Sequence, residues 1–109
     1  MSRPFIALLI ATTLLAIPVA LQASQHASTE AFKDSMTKMH QAMMVEYTGN
    51  ADVDFVKSMI PHHQGAIDMA KIELQFGKDP ELRRMAEQII AAQEKEIAEM
   101  QAWLKAHGS

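Results

Sequence analysis

The helix-period apolar pattern of this chain is interrupted at two places, Thr48-Gly49-Asn50-Ala51 and Gly77-Lys78-Asp79-Pro80. That punctuation confines the fold to long helices joined by short connections. Ser28-Thr29-Glu30 predicts the start of a first helix, with Ser28 or Thr29 as N-cap, and the segment continues to about Tyr47. Gly49 suits a left-handed residue after it. Asp52 is positioned to cap a second helix that reaches Phe76 and closes at Gly77. Asp79-Pro80-Glu81 is a strong start signal, and the third helix runs to about Ala106, before Gly108. No stretch alternates as a strand would, and no internal repeat is present. The expected fold is an all-α, small antiparallel helical bundle of three long helices.

Plotted at about 100° per residue, each helix shows a stripe. The first carries Phe32, Met36, Met39, Met43 and Tyr47, with His40 and Met44 on one flank and no Leu or Ile. The second carries two stripes side by side. Val56, Ile60, Ile67 and Leu74 form an ordinary apolar face; beside it run Phe55, Met59, His62, Ala66, Met69 and Glu73, with His63 and Ala70 between. The third presents Leu82, Met85, Ala86, Ile89, Ile90, Gln93, Ile97, Met100 and Leu104. Inside the second helix stands Pro61, directly before His62 and His63. Proline has no N–H for the carbonyl of Lys57 and its ring crowds that carbonyl, so a kink at Pro61 is expected, turning both imidazoles toward one neighbour. A sharp bend would divide the helix in two.

Ahead of these helices, Arg3 and the almost continuously apolar stretch Phe5–Leu21 are followed by Leu21-Gln22-Ala23, the arrangement of a secretory signal peptide cleaved after Ala23. The competing reading is a retained membrane anchor, since about 17 apolar residues is the lower edge of a span. The expected organisation is a signal peptide over 1–23, a flexible tail over 24–29 and a Met/His-rich helical domain over 30–107. With a net charge of −3, nucleic acid and acidic membrane surfaces are poor partners. A small exported domain commonly relies on disulfides, yet this chain has no cysteine. Packing, a second copy of the chain or bound metal must supply its stability.

Nine methionines in 109 residues are the compositional anomaly. Thioether sulfur and imidazole nitrogen suit Cu(I) and, by the same softness argument, Ag(I), and neither donor is lost to disulfide formation. Met59, His62 and Met69 share one face with His63 beside it; Met36, Met39 and Met43 repeat along the first helix with His40 adjacent. Asp68 and Glu73 are candidate acceptors for an imidazole N–H. A methionine stripe taken alone is ordinary core, because Met fills irregular interiors and forms helix readily. Against that, a core in which Met replaces every Leu and Ile of a helix is poorly specified. Met85 and Met100 are balanced between core and ligand. No Glu-x-x-His pair of a carboxylate di-iron bundle occurs, no His-Glu-x-x-His zinc motif and no nucleophile triad; enzymatic activity is not expected. The charged residues Arg83, Arg84, Glu94, Lys95 and Glu99 read as a solvated face.

Asp54-Phe55, Met59-Ile60-Pro61-His62-His63, Ala66-Ile67, Met69-Ala70, Asp79-Pro80-Glu81-Leu82, Gln93, Glu96-Ile97, Met100 and Trp103-Leu104 together resemble the domain-of-unknown-function 305 family, which includes the CopM-like periplasmic copper-binding proteins. The resemblance covers about residues 30–106. It implies a ferritin-like helical bundle, export, and binding of copper or silver for resistance or trafficking. It places the family's motif positions on Met59, His62, His63 and Met69, with Met39 and Met43 from the first helix and Met100 from the third. The resulting expectation is an exported protein that sequesters or shuttles Cu(I), and by extension Ag(I), with another periplasmic copper-trafficking protein as partner and a homodimer as an open option. The alternative is a metal-independent interaction module that uses its Met-rich surface.

Overall fold

The computed structural model describes residues 11–108. The basic Arg3 and the first part of the expected signal peptide lie outside the described residues. Three helices account for the fold: α1 Val19–Ala42, α2 Ala51–Phe76 and α3 Pro80–Ala106. Among the described residues there is no strand, and the molecule is an all-α helical bundle. No helix of the described residues is long and apolar enough to cross a membrane.

The helix ends show where local chemistry decided. α3 starts as expected: Asp79 accepts from the N–H groups of Glu81 and Leu82, with Pro80 in the first turn. α2 begins one cap earlier than Asp52 suggested, because the Asn50 carboxamide accepts from Asp52 and Val53. α1 differs most. It starts at Val19, ahead of the expected caps, and the hydroxyls of Ser28 and Thr29 instead donate to the carbonyl of Gln25, the usual resort of such residues inside a helix. Residues 24–29, expected as a tail, fall within this helix. Cleavage after Ala23 would leave α1 from Ser24 onward.

At its other end α1 stops at Ala42 rather than near Tyr47. The loop that follows has a structure of its own. Asp54, in the first turn of α2, reaches back to accept from the backbone N–H of Thr48 and of Gly49 and from the Thr48 hydroxyl. That clasp holds residues 48 and 49 out of helical conformation. Gly49 has a positive φ of 87°, as its identity allows, but it lies next to the N-cap of α2 rather than at the end of α1. Gly77 is not left-handed. The Arg83 guanidinium donates to the carbonyls of Leu74 and Gly77, satisfying the C-terminal carbonyls of α2 that a left-handed glycine would otherwise serve. Arg83 is therefore a cap for a neighbouring helix and not merely a solvated charge.

α2 runs unbroken through Pro61 and does not split into two helices. Pro61 lies on a side of α2 shared with Lys57, Gln64 and Asp68, which line an open groove. There the carbonyl freed by the proline can be met by water, which is why the helix tolerates it.

α2 is the central element. Val56, His63, Ile67 and Ala70 are buried along one side of it, against α3; Gly65 and Ile72 are buried on nearly the opposite side, against α1. Gly65 leaves room there for Met39, because a Cβ would run into Met39 Sδ and would lie 2.7 Å from Met39 Cγ. Among the described residues no Cα of α1 comes within 8 Å of a Cα of α3. The three helices thus stand as a layer with α2 in the middle and a groove on each face. The core is correspondingly thin. Among the described residues Ile67 is the most enclosed apolar side chain, and no large side chain is wholly buried.

Candidate functional site

His62 and His63 are separated by the structure rather than joined. Their ring centroids lie 6.4 Å apart; His62 is exposed and His63 is buried between α2 and α3. His63 Nδ1 lies 2.9 Å from the carbonyl oxygen of Met59. A carbonyl can only accept, so Nδ1 carries a proton. Nε2 meets the Glu96 carboxylate on α3. Both ring nitrogens therefore have partners, and a metal reaching Nε2 would have to displace Glu96. The acceptor for the imidazole is Glu96 on α3, not Asp68 or Glu73. Asp68 instead lies 3.7 Å from Lys38 on α1 and accepts from Gln64, and the Glu73 carboxylate lies over Gly77.

The second stripe of α2, Phe55, Met59, His62, Ala66, Met69 and Glu73, occupies the side of the helix between its two packed flanks. It forms the floor of one open face of the layer. Around Met69 a cavity of about 310 Å³ is lined by Phe32 of α1, Ala66, Ala70 and Glu73 of α2, and Leu82, Met85 and Ile89 of α3. Toward the other end of the same face, Asp52, Phe55 and Val56 meet Glu99, Met100 and Trp103 around a cavity of about 500 Å³. Met59 and His62 lie between these cavities by register. Met36 is exposed one turn after Phe32 on α1, and Met43 lies just past the end of that helix.

Not every expected donor joins it. Met39 packs over Gly65 between α1 and α2 and lines the opposite groove. His40 is exposed on the outer flank of α1. Met69 and Met85 share one cavity, while Met100 belongs to another. The arrangement is a line of thioethers with one free imidazole, His62, and carboxylates from Asp52, Glu73, Glu96 and Glu99 along it. Among the described residues no three His, Asp or Glu side chains are grouped as a metal ligand set, so any metal held here would rest on sulfur donors.

Four residues escaped the sequence reading or were placed too loosely by it. Glu96 and Arg83 act across the α2–α3 contact, which no spacing along the chain reveals. Asp54 offered a signal, since it follows Thr48-Gly49 closely enough to fold back on that turn. Its carboxyl is held below the ordinary value, first by the Thr48 backbone N–H and then by the Thr48 hydroxyl and the Gly49 N–H, against some desolvation. Met85, balanced between core and ligand, proves half exposed at the mouth of a cavity.

This face is built mainly from α2 and α3, and it is these helices that comparison with known proteins matches. The family described as "Domain of unknown function (DUF305)" matches residues 52–109. The chain is also similar to "Uncharacterized protein L153" of Acanthamoeba polyphaga mimivirus, at 42% identity over 53 residues. That alignment covers 49% of this chain and 35% of the relative, so the chain corresponds to about a third of the viral protein's length. With all but the first residue of α2 and the whole of α3 inside the matched region, the chain belongs to the DUF305 family.

Proposed function

We propose that this protein is an exported soft-metal carrier that sequesters or shuttles Cu(I), and by the same chemistry Ag(I), in copper homeostasis or resistance. The observation that carries the reading is the open face of α2 that bears Met59, exposed His62 and Met69, with Met85 beside Met69 in one cavity and Met100 in the other. A chain without cysteine offers these as its soft donors, and such donors suit a monovalent soft cation. Carboxylates along the face add attraction for a cation without competing as soft ligands. Export follows from the apolar segment after Arg3, and a second periplasmic copper-trafficking protein is the natural recipient.

Titration of the protein with Cu(I) and Ag(I) against a competing chelator tests this. His62→Ala, and Met59→Leu combined with Met69→Leu, should each weaken binding by at least about tenfold, the range found when metal-site residues are lost. His63→Ala should act less through the metal than through stability, given its partners. Unchanged affinity in the first two variants would refute the assignment.

A second reading is favoured by Phe32, Phe55 and Leu82, which share the face with the methionines. It is a metal-independent interaction module, since Met-rich surfaces adapt to varied partners. Elemental analysis of protein recovered from its exported compartment separates the two: stoichiometric copper supports the first, its absence the second.

A further inference from the structure

The layer is two-faced. Leaving aside the segment before Ser24 and the 43–50 loop, the exposed large apolar side chains are Phe32, Met36, Phe55, Met69, Leu82 and Met85, and every one borders the Met/His face. The opposite face of α2 presents Lys57, Gln64, Asp68, Lys71 and Gln75. Helices apolar on one side of a layer are stable when a second layer covers that side, and a contiguous apolar surface of this kind marks an interaction site.

We propose that the covering layer is a second copy of this chain, stacked face to face and antiparallel about a two-fold axis beside His62. The register of α2 argues for this occupant. α2 spans Ala51–Phe76, so His62 lies near its midpoint, and Phe55 and Met69 stand at equal sequence distances on either side of it. A two-fold axis there brings Phe55 of each copy over Met69 of the other, a thioether-on-ring contact made twice. It also brings Met59, three residues before His62, near Ala66, four residues after it, large beside small, as interdigitating layers require. An isologous contact needs this kind of self-complementarity. Size agrees as well. A 26-residue helix is about 39 Å long, and three helices side by side span roughly 20 Å, giving on the order of 800 Å² per copy, about what a standard interface buries on each partner.

The charges give the pairing a signature. Asp52, Glu73 and Glu99 lie along the face with no Lys or Arg among them, so two copies repel at the rim. Association therefore tightens from low to high ionic strength as that repulsion is screened, whereas docking of a basic partner would weaken.

The inference is independent of metal and is tested in chelator, so its failure leaves the copper reading standing, and the reverse. By analytical ultracentrifugation at micromolar to hundred-micromolar concentration, the full chain should sediment at the mass of two chains. Phe55→Glu and Met69→Glu should each return it to one chain with helicity retained. Because the chain has no cysteine, a short bis-maleimide should link two copies of a His62→Cys variant, which alters an exposed side chain and keeps the fold. The same reagent should leave a Lys71→Cys variant, on the polar face, unlinked. Four results would overturn the proposal: a single-chain mass throughout, a dimer indifferent to Phe55→Glu, linkage through position 71 but not 62, or association that weakens with salt.

Discussion

The side chain that most organises the α2–α3 contact is His63, whose two nitrogens are divided between its own helix and the next. The Met59 carbonyl fixes the ring orientation, and Glu96 ties it to α3. Removing Glu96 leaves a buried ring nitrogen without a partner, which costs more than the net worth of the bond. Glu96→Ala is expected to lower unfolding free energy by about 1–3 kcal/mol in urea denaturation. Replacing both residues by leucine should recover part of that loss, because no polar group is then stranded. Gly65 makes a second local prediction. Alanine normally gains about 1 kcal/mol over glycine inside a helix. Here its Cβ would strike Met39, whose Cγ and Cβ would lie 2.7 and 3.2 Å away, and overpacking costs about 1–3 kcal/mol. Gly65→Ala should be destabilising by about 1 kcal/mol in the native background, yet stabilising once Met39→Ala clears the space. A thermodynamic cycle over these variants measures the coupling directly.

Among the elements, α2 is clasped at both ends. Arg83 holds its C-terminal carbonyls from α3, and Asp54 holds the loop that precedes its N-terminus. The Asp54 carboxyl is lowered in the folded state because its charged form accepts the Thr48 and Gly49 N–H groups. The sign follows from linkage: the folded state binds the Asp54 proton less readily than the unfolded chain, so ionised Asp54 stabilises the fold. That contribution is present above the carboxyl's unfolded value and is lost as pH falls through the lowered folded value. Asp54→Asn should therefore have a lower melting temperature than the parent at neutral pH, and the difference should shrink in acid. Melting curves collected across the acid range check both statements; a pH-independent difference would show that the clasp works without its charge. In the connection between α1 and α2, Met44 and Tyr47 emerge exposed instead of continuing the stripe of α1.

For the whole molecule, the decisive fact is that α1 and α3 flank α2 without meeting. A closed bundle would have buried the second stripe of α2; an open layer leaves it facing outward, with sulfur, one imidazole and two phenyl rings on a single surface. That placement underlies both the proposed metal chemistry and the proposed pairing of two copies. Much of this was legible in residues taken alone. Period and punctuation specify three helices, and Asp79-Pro80 fixes the start of α3, because capping and proline geometry act within a few residues. The Val56–Ile67 stripe announces the side packed on α3 by the same local periodicity. What remained hidden depended on residues far apart in the chain. The extension of α1 across Ser28 and the loss of its last turn, the Arg83 cap and the Glu96–His63 pair all arise from partners that periodicity does not connect. So does the division of labour between His62 and His63: adjacent positions on a helix differ by about 100°, and only the packing of α3 decided which ring is buried and hydrogen-bonded and which is left free.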